Sequence, residues 1–148
     1  MKLIITLCAL VLSLSVFATD NRLGLGAMFG NPTGLSGKYW LDDTHAVDAG
    51  MGLALGSGSD LSLHSDYLFH KEDFLYLNDV HPLDLYYGIG GRMAFSDSIE
   101  IGARVPVGVA YKINDKAADI FAEVAPILDF IGRQGLELHL LVGSRYFF

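Results

Sequence analysis

Beyond residue 18 the sequence has no cysteine; the single thiol, Cys8, lies in the leading segment. Disulfides, cysteine-based metal sites and cysteine nucleophiles are therefore excluded from the body of the chain. Long apolar runs are missing as well. No stretch after residue 18 stays apolar for about 18 residues, so no membrane-spanning helix is expected. Positive charge is scarce: ten Lys and Arg stand against seventeen Asp and Glu, a formal net charge of −7. Without a basic surface to neutralise phosphates, nucleic acid is not expected as a partner. Proline is rare too, with four residues, and no linker-like stretch divides the 148 residues. One domain is the expectation.

What is present begins with an export segment. Lys2 gives a positive start, Leu3 to Val16 form an apolar run, and Val16-Phe17-Ala18 offers small residues where a signal peptidase reads. The run is short for a spanning anchor. Leu7 also occupies the place where a lipoprotein needs a small residue before its cysteine. Residues 1–18 are expected to be a cleaved signal peptide, and residues 19–148 a β-barrel domain.

After Asp20, apolar and polar residues alternate with the period of two that marks strands with unlike faces. Eight segments follow: 22–30, 34–41, 45–56, 60–70, 82–95, 98–112, 118–129 and 135–148. Turn-rich stretches such as Asn31-Pro32-Thr33, Asp42-Asp43-Thr44 and Ser96-Asp97 separate them. The longest connection is expected between His70 and Pro82. One face of the sixth segment carries Ile99, Ile101, Val105, Val107, Val109 and Tyr111, against Glu100, Gly102, Arg104 and Gly108 on the other.

Two folds use such a pattern. A soluble barrel turns the apolar face inward, whereas a membrane barrel turns it out to lipid and fills its lumen with the polar face. The glycines favour the second. Gly24, Gly26, Gly50, Gly52, Gly88, Gly90, Gly102, Gly108 and Gly143 all fall on the polar face. On a water-facing strand they weaken pairing for no gain; inside a narrow eight-strand barrel they make room for large charged neighbours. Aromatic placement agrees. Tyr39, Tyr67, Phe69, Tyr111, Tyr146 and Phe148 end the even-numbered segments on the apolar face, as an interfacial girdle would, and Phe29 and Phe95 serve the opposite end.

The last six residues, Gly143-Ser144-Arg145-Tyr146-Phe147-Phe148, resemble the carboxy-terminal assembly signal of bacterial outer-membrane proteins, with Gly143, Tyr146 and Phe148 at its key positions. By architecture the chain resembles the small barrels of the OmpA/OmpX type. That resemblance implies an eight-stranded antiparallel up-and-down transmembrane β-barrel in the bacterial outer membrane. It also implies outer-membrane lipid and the barrel-assembly machinery as partners, and no cofactor.

Candidate sites are few. Gly-x-Gly pairs at 24/26, 50/52 and 88/90 open no helix within a βαβ unit, so they carry no nucleotide signal. His64-Ser65-Asp66 has the residue types of a hydrolytic triad, but on a strand Ser65 points away from the other two. Metal binding through His64, His70 and His139 lacks placed carboxylates and is not expected. The remaining constellation is a lumenal charge network of Arg22, Lys38, Asp48, Asp66, Arg92, Glu100, Arg104, Glu123, Glu137 and Arg145, with Asp84 on the same face. Opposite signs in near balance predict a paired plug rather than a selectivity ring.

The sequence thus points to a non-enzymatic outer-membrane barrel with a filled lumen and a structural or envelope-associated role. Two alternatives are a soluble periplasmic lipocalin-like barrel that binds an apolar ligand and an outer-membrane lipid-modifying enzyme. The first needs aliphatic side chains inside. The second needs a catalytic cluster on the lipid face, where only Ser65 and Ser144 are visible.

Overall fold

The structure, a computed structural model, describes residues 21–54, 60–76, 82–114 and 117–148; the expected signal peptide lies outside them. Nine strands follow in order: β1 (Leu23–Gly30), β2 (Thr33–Trp40), β3 (His45–Ala54), β4 (Asp60–Tyr76), β5 (Pro82–Phe95), β6 (Ile99–Arg104), β7 (Val107–Ile113), β8 (Ala118–Ile131) and β9 (Gly135–Phe147). Each is antiparallel to its neighbours, and β1 pairs with β9 while β4 pairs with β5, so the sheet closes on itself.

The ninth strand comes from a break in the sixth expected segment. Proline has no N–H to give to a ladder, and Pro106 with Val105 interrupts the strand there. The wall stays bonded across the gap, because Gly88 N donates to Pro106 O and Val105 N donates to Pro126 O. Both β6 and β7 pair with β5 on one side and β8 on the other. They are two halves of one stave, and the barrel has eight.

Its geometry follows from the register. Starting at Arg145, the partners run through Gly26, Ser36, Gly50, His64, Arg92, Gly102 and Asp129 back to Gly135, ten residues from the start. Eight strands with that offset tilt by about 40° and enclose a backbone cylinder of about 8 Å radius. Side chains can fill such an interior.

The two faces separate cleanly. Outward lie Leu35, Ile89, Leu138, Leu140 and Val142, each more than half exposed. Inward, Lys38, Asp66, Arg92, Arg104, His139 and Arg145 are buried. This is the reverse of a soluble barrel, and the apolar-inside arrangement of a lipocalin-like fold is absent from the described wall. The lumen is not wholly polar: Met28, Ala46, Leu68, Tyr86, Ala110, Phe121 and Leu141 form one buried cluster, with Trp40 packed against it. Exposed rings gather at the end where β1 starts and β9 finishes, where Phe69 stacks on Tyr87 at 5.6 Å and Tyr146 meets Phe148 edge-on at 5.3 Å. Phe29, Phe95 and Phe130 are exposed near the other end.

The fourth strand is longer than expected. Pairing with β5 continues past His70 to Tyr76, with a bulge between Lys71 and Leu75, so the long connection is mostly ladder. Residues 71–75 are exposed, which is why they show no alternation of faces. Asp73 takes a left-handed conformation (φ 53°) at the bulge, and its N–H donates to Asp84 Oδ1 at 3.1 Å. Lys112 Nζ fixes the base of this extension through Glu72 Oε1 (2.7 Å) and Asp84 Oδ2 (2.6 Å).

Among the described residues, short turns join β1 to β2, β2 to β3, β5 to β6 and β8 to β9. Asp42 Oδ1 accepts from the backbone N–H of Thr44 and of His45, both at 2.8 Å, and its side chain also meets His45 Nδ1. The Thr44 N–H, followed by the His45 ring, holds the Asp42 carboxyl well below the ordinary carboxylate range. At the other end Gly132 adopts φ 84°, a conformation other residues resist.

Candidate functional site

Among the described residues, the lumen is where this fold gathers buried charge, and its pattern is laid down by the ladders. Two successive rungs cross the wall. One runs Phe147, Gly24, Lys38, Asp48, Asp66, Gly90, Arg104, Ile127. The next runs Arg145, Gly26, Ser36, Gly50, His64, Arg92, Gly102, Asp129. Glycines recur among the large residues in both. A side chain at Gly50 would run into the His64 ring, one at Gly90 into Asp66, one at Gly102 into Asp129 and one at Gly108 into Tyr86. The inward glycines are spaces occupied by their neighbours.

That reading predicts a contrast. Gly108→Leu should lower stability in micelles by about 1–3 kcal/mol through overpacking against Tyr86. Gly135→Ala, with nothing within 4 Å of the added carbon, should stay within about 0.5 kcal/mol. Urea midpoints of the two variants check this.

Besides the Lys112–Asp84 pair, the charges form three groups. At the terminal end, Arg145 grips Asp119 with two hydrogen bonds (3.0 and 3.1 Å) and lies over the Phe121 ring at 4.0 Å. Lys38 sits beneath, its Nζ 4.2 Å from the centre of the Trp40 ring and 5.5 Å from that of Tyr86. In the middle, Arg104 is fully buried between two acids: Nε donates to Asp66 Oδ2 at 2.7 Å and Nη2 donates to Glu123 Oε1. Tyr86 donates its hydroxyl to the other Glu123 oxygen at 2.9 Å. At the far end Arg92 reaches Asp129 (2.8 Å), Glu137 (2.9 Å) and Glu100 (3.7 Å).

Of the residues expected in the lumen, Lys38, Asp48, Asp66, Arg92, Arg104, Glu123 and Arg145 are buried there. Glu100 and Glu137 are only partly covered, at the far mouth. Arg22 is a correction. It precedes β1, is exposed, and donates to Leu41 O at the rim (3.3 Å), because the wall begins one residue later than expected. Asp119 and Asp129, paired with Arg145 and Arg92, were missed. They share parity with Glu123, the signal that could have found them.

Among the described residues, six carboxylates (Asp48, Asp66, Asp84, Asp119, Glu123, Asp129) are buried with four cations (Lys38, Arg92, Arg104, Arg145). A fifth cation, the partly buried Lys112, reaches Asp84 at 2.6 Å.

His64 and Asp66 point into the lumen, whereas Ser65 is on the outer face and donates to Asp48 O at 2.9 Å. A triad cannot form across the wall. The three inward histidines do not converge either: His70 packs between Trp40 and Tyr86 (4.4 and 5.2 Å between ring centres), and His139 lies 3.4 Å from Glu137. Among the described residues, the group of potential ligands that does come together is Asp48, His64 and Asp66, with one atom from each lying within 4.8 Å of the others.

The carboxy-terminal residues divide between the faces. Gly143 lies beside the Phe121 ring, and Tyr146 and Phe148 face outward. Their strand closes the barrel on β1, with Gly143 opposite Met28 and Tyr146 opposite Leu25.

No family profile matches the chain, and no curated protein matches its sequence. Among solved structures it is similar to the crystal structure of Neisserial surface protein A (NspA). The identity is 18% and the TM-score 0.46, over 85% of this chain and 93% of that one. At that overlap the likeness decides nothing about function, and the barrel rests on its own register.

Proposed function

We propose that the chain is a non-enzymatic integral protein of the bacterial outer membrane, of the OmpA/OmpX type, whose barrel is closed to solutes and has a structural or envelope-associated role. The observation that carries this reading is the sidedness of the wall. Aliphatic side chains such as Leu35, Ile89 and Leu140 face out, while buried guanidinium and carboxylate groups fill the centre. A barrel in water would expose that apolar band at great cost; in hydrocarbon the same band is the stable surface. At the tilt found here, ten residues of strand span about 25 Å, the height of the apolar band of such barrels.

Residues 1–18 direct export and are removed. Gly143, Tyr146 and Phe148 present the strand-end signal to the assembly machinery, and outer-membrane lipid contacts the aromatic ends. The filled lumen supports closure: Arg104, Tyr86, Lys38 and His139 leave less than 2% of their surface accessible. Nothing in this role calls for a cofactor.

The test joins fractionation with conductance. The protein is expected to leave the envelope only with detergent, to change gel mobility on heating, and to show no steady channel in a planar bilayer. Release with the periplasmic contents would overturn the membrane assignment, and steady conductance would overturn closure.

A further inference from the structure

We propose that Asp48, His64 and Asp66 form a binding site for a first-row divalent cation such as Zn²⁺ or Mn²⁺ inside the barrel. The argument begins with the register. Asp48 of β3 lies directly opposite Asp66 of β4, and His64 lies two residues from Asp66 on the same face. All three side chains are more than nine-tenths buried, and one ligand atom from each lies within 4.8 Å of the other two. Each also holds back a buried atom with no hydrogen-bond partner among the described residues: Asp48 Oδ1, His64 Nδ1 and Asp66 Oδ1. Two carboxylate oxygens and an imidazole nitrogen suit zinc and manganese.

The surroundings are built around these groups. Arg104 takes the second oxygen of Asp66 at 2.7 Å, which fixes that carboxylate and leaves Oδ1 free. Outer partners of this kind orient metal ligands. Gly50 and Gly90 yield the space that the His64 ring and the Asp66 carboxylate occupy. Bonds of about 2.1 Å in a tetrahedral site set ligand atoms about 3.4 Å apart, so small side-chain rotations close the triangle.

Charge points the same way. Of the six buried carboxylates, Asp84 is met by Lys112 at 2.6 Å. Asp119, Glu123 and Asp129 are each met by an arginine. Asp48 and Asp66 instead face each other; Arg104 meets Asp66, and Lys38 stands opposite Asp48 in the ladder with its Nζ over the Trp40 ring. Two like charges that close are stabilised by a cation or by one shared proton, and the histidine beside them favours the cation. The ion would tie β3 to β4 from the inside, and the site does not depend on what surrounds the outer face.

The experiment uses the mature chain folded in detergent micelles, stripped with EDTA, re-exposed to Zn²⁺ or Mn²⁺ and desalted. About one metal ion per folded chain is expected to remain, because a pre-formed site retains its ion. Asp48→Asn and His64→Gln should each weaken retention at least about tenfold while keeping heat-modifiable migration. Should either variant fail to fold, Co²⁺ bound to the unaltered protein supplies the readout, through an absorption spectrum that reports imidazole and carboxylate ligands. A folded wild-type barrel that retains neither Zn²⁺ nor Mn²⁺ would overturn the site in favour of the shared proton. Retention unchanged in both folded variants, or a Co²⁺ spectrum without imidazole, would overturn it too.

Discussion

Arg104→Leu is expected to cost about 3–5 kcal/mol, the usual penalty for removing one partner of a buried ion pair. The guanidinium has no exposed surface and stands between Asp66 and Glu123. Leucine would leave both carboxylates in the lumen without their cation, and Glu123 with Tyr86 alone. Since a domain's whole stability is about 5–15 kcal/mol, the variant should lose most of its resistance to urea and heat in micelles. The double change Arg104→Leu with Glu123→Leu removes one stranded acid along with the cation, so it should recover part of the loss. Arg92→Leu should cost less. It strands the buried Asp129, but its other partner Glu137 is 36% exposed and Glu100 lies 3.7 Å away, so water can take over some of the charge. Near-equal midpoints for wild type and Arg104→Leu would mean that the central pairs do not hold the barrel.

The staves were legible in the sequence because each buries one face, and a period-two pattern follows directly from that. Where both faces were alike, the reading failed. In β8 the inward side carries Phe121, Ala125 and Ile127 between its acids, so hydropathy did not set Asp119 and Asp129 apart, and their parity with Glu123 was the sign left. In the β4 extension all of residues 71–75 are exposed, and with no buried face there is no alternation. The split at Pro106 depends on a missing N–H, which hydropathy does not register. The meeting of Asp48 with His64 and Asp66 is a matter of register between β3 and β4. Spacing along one strand brings His64 and Asp66 to the same face, but it carries no information about which residue lies opposite them. Arg22 shows the converse limit: its parity is that of the inward face, yet the wall has not begun where it stands.

Leu140→Arg separates the membrane barrel from a soluble one by magnitude. Leu140 lies near the middle of β9, opposite Val124 of β8, and is 59% exposed. On a water-facing wall, arginine at so exposed a position would change stability by no more than about 0.5 kcal/mol. At the midplane of a bilayer the same substitution costs about 2–4 kcal/mol, falling toward zero at the interfaces. Leu136→Arg supplies the depth comparison, because Leu136 lies one residue inside the far end of β9 and is 79% exposed. In lipid vesicles the folded fraction across a urea series should therefore fall steeply for Leu140→Arg and little for Leu136→Arg. Greater exposure would then go with the smaller loss. In water that ordering has no cause, since neither site is buried by protein. In a bilayer it follows from depth alone, so two equally mild variants would mean that hydrocarbon does not cover the middle of this wall.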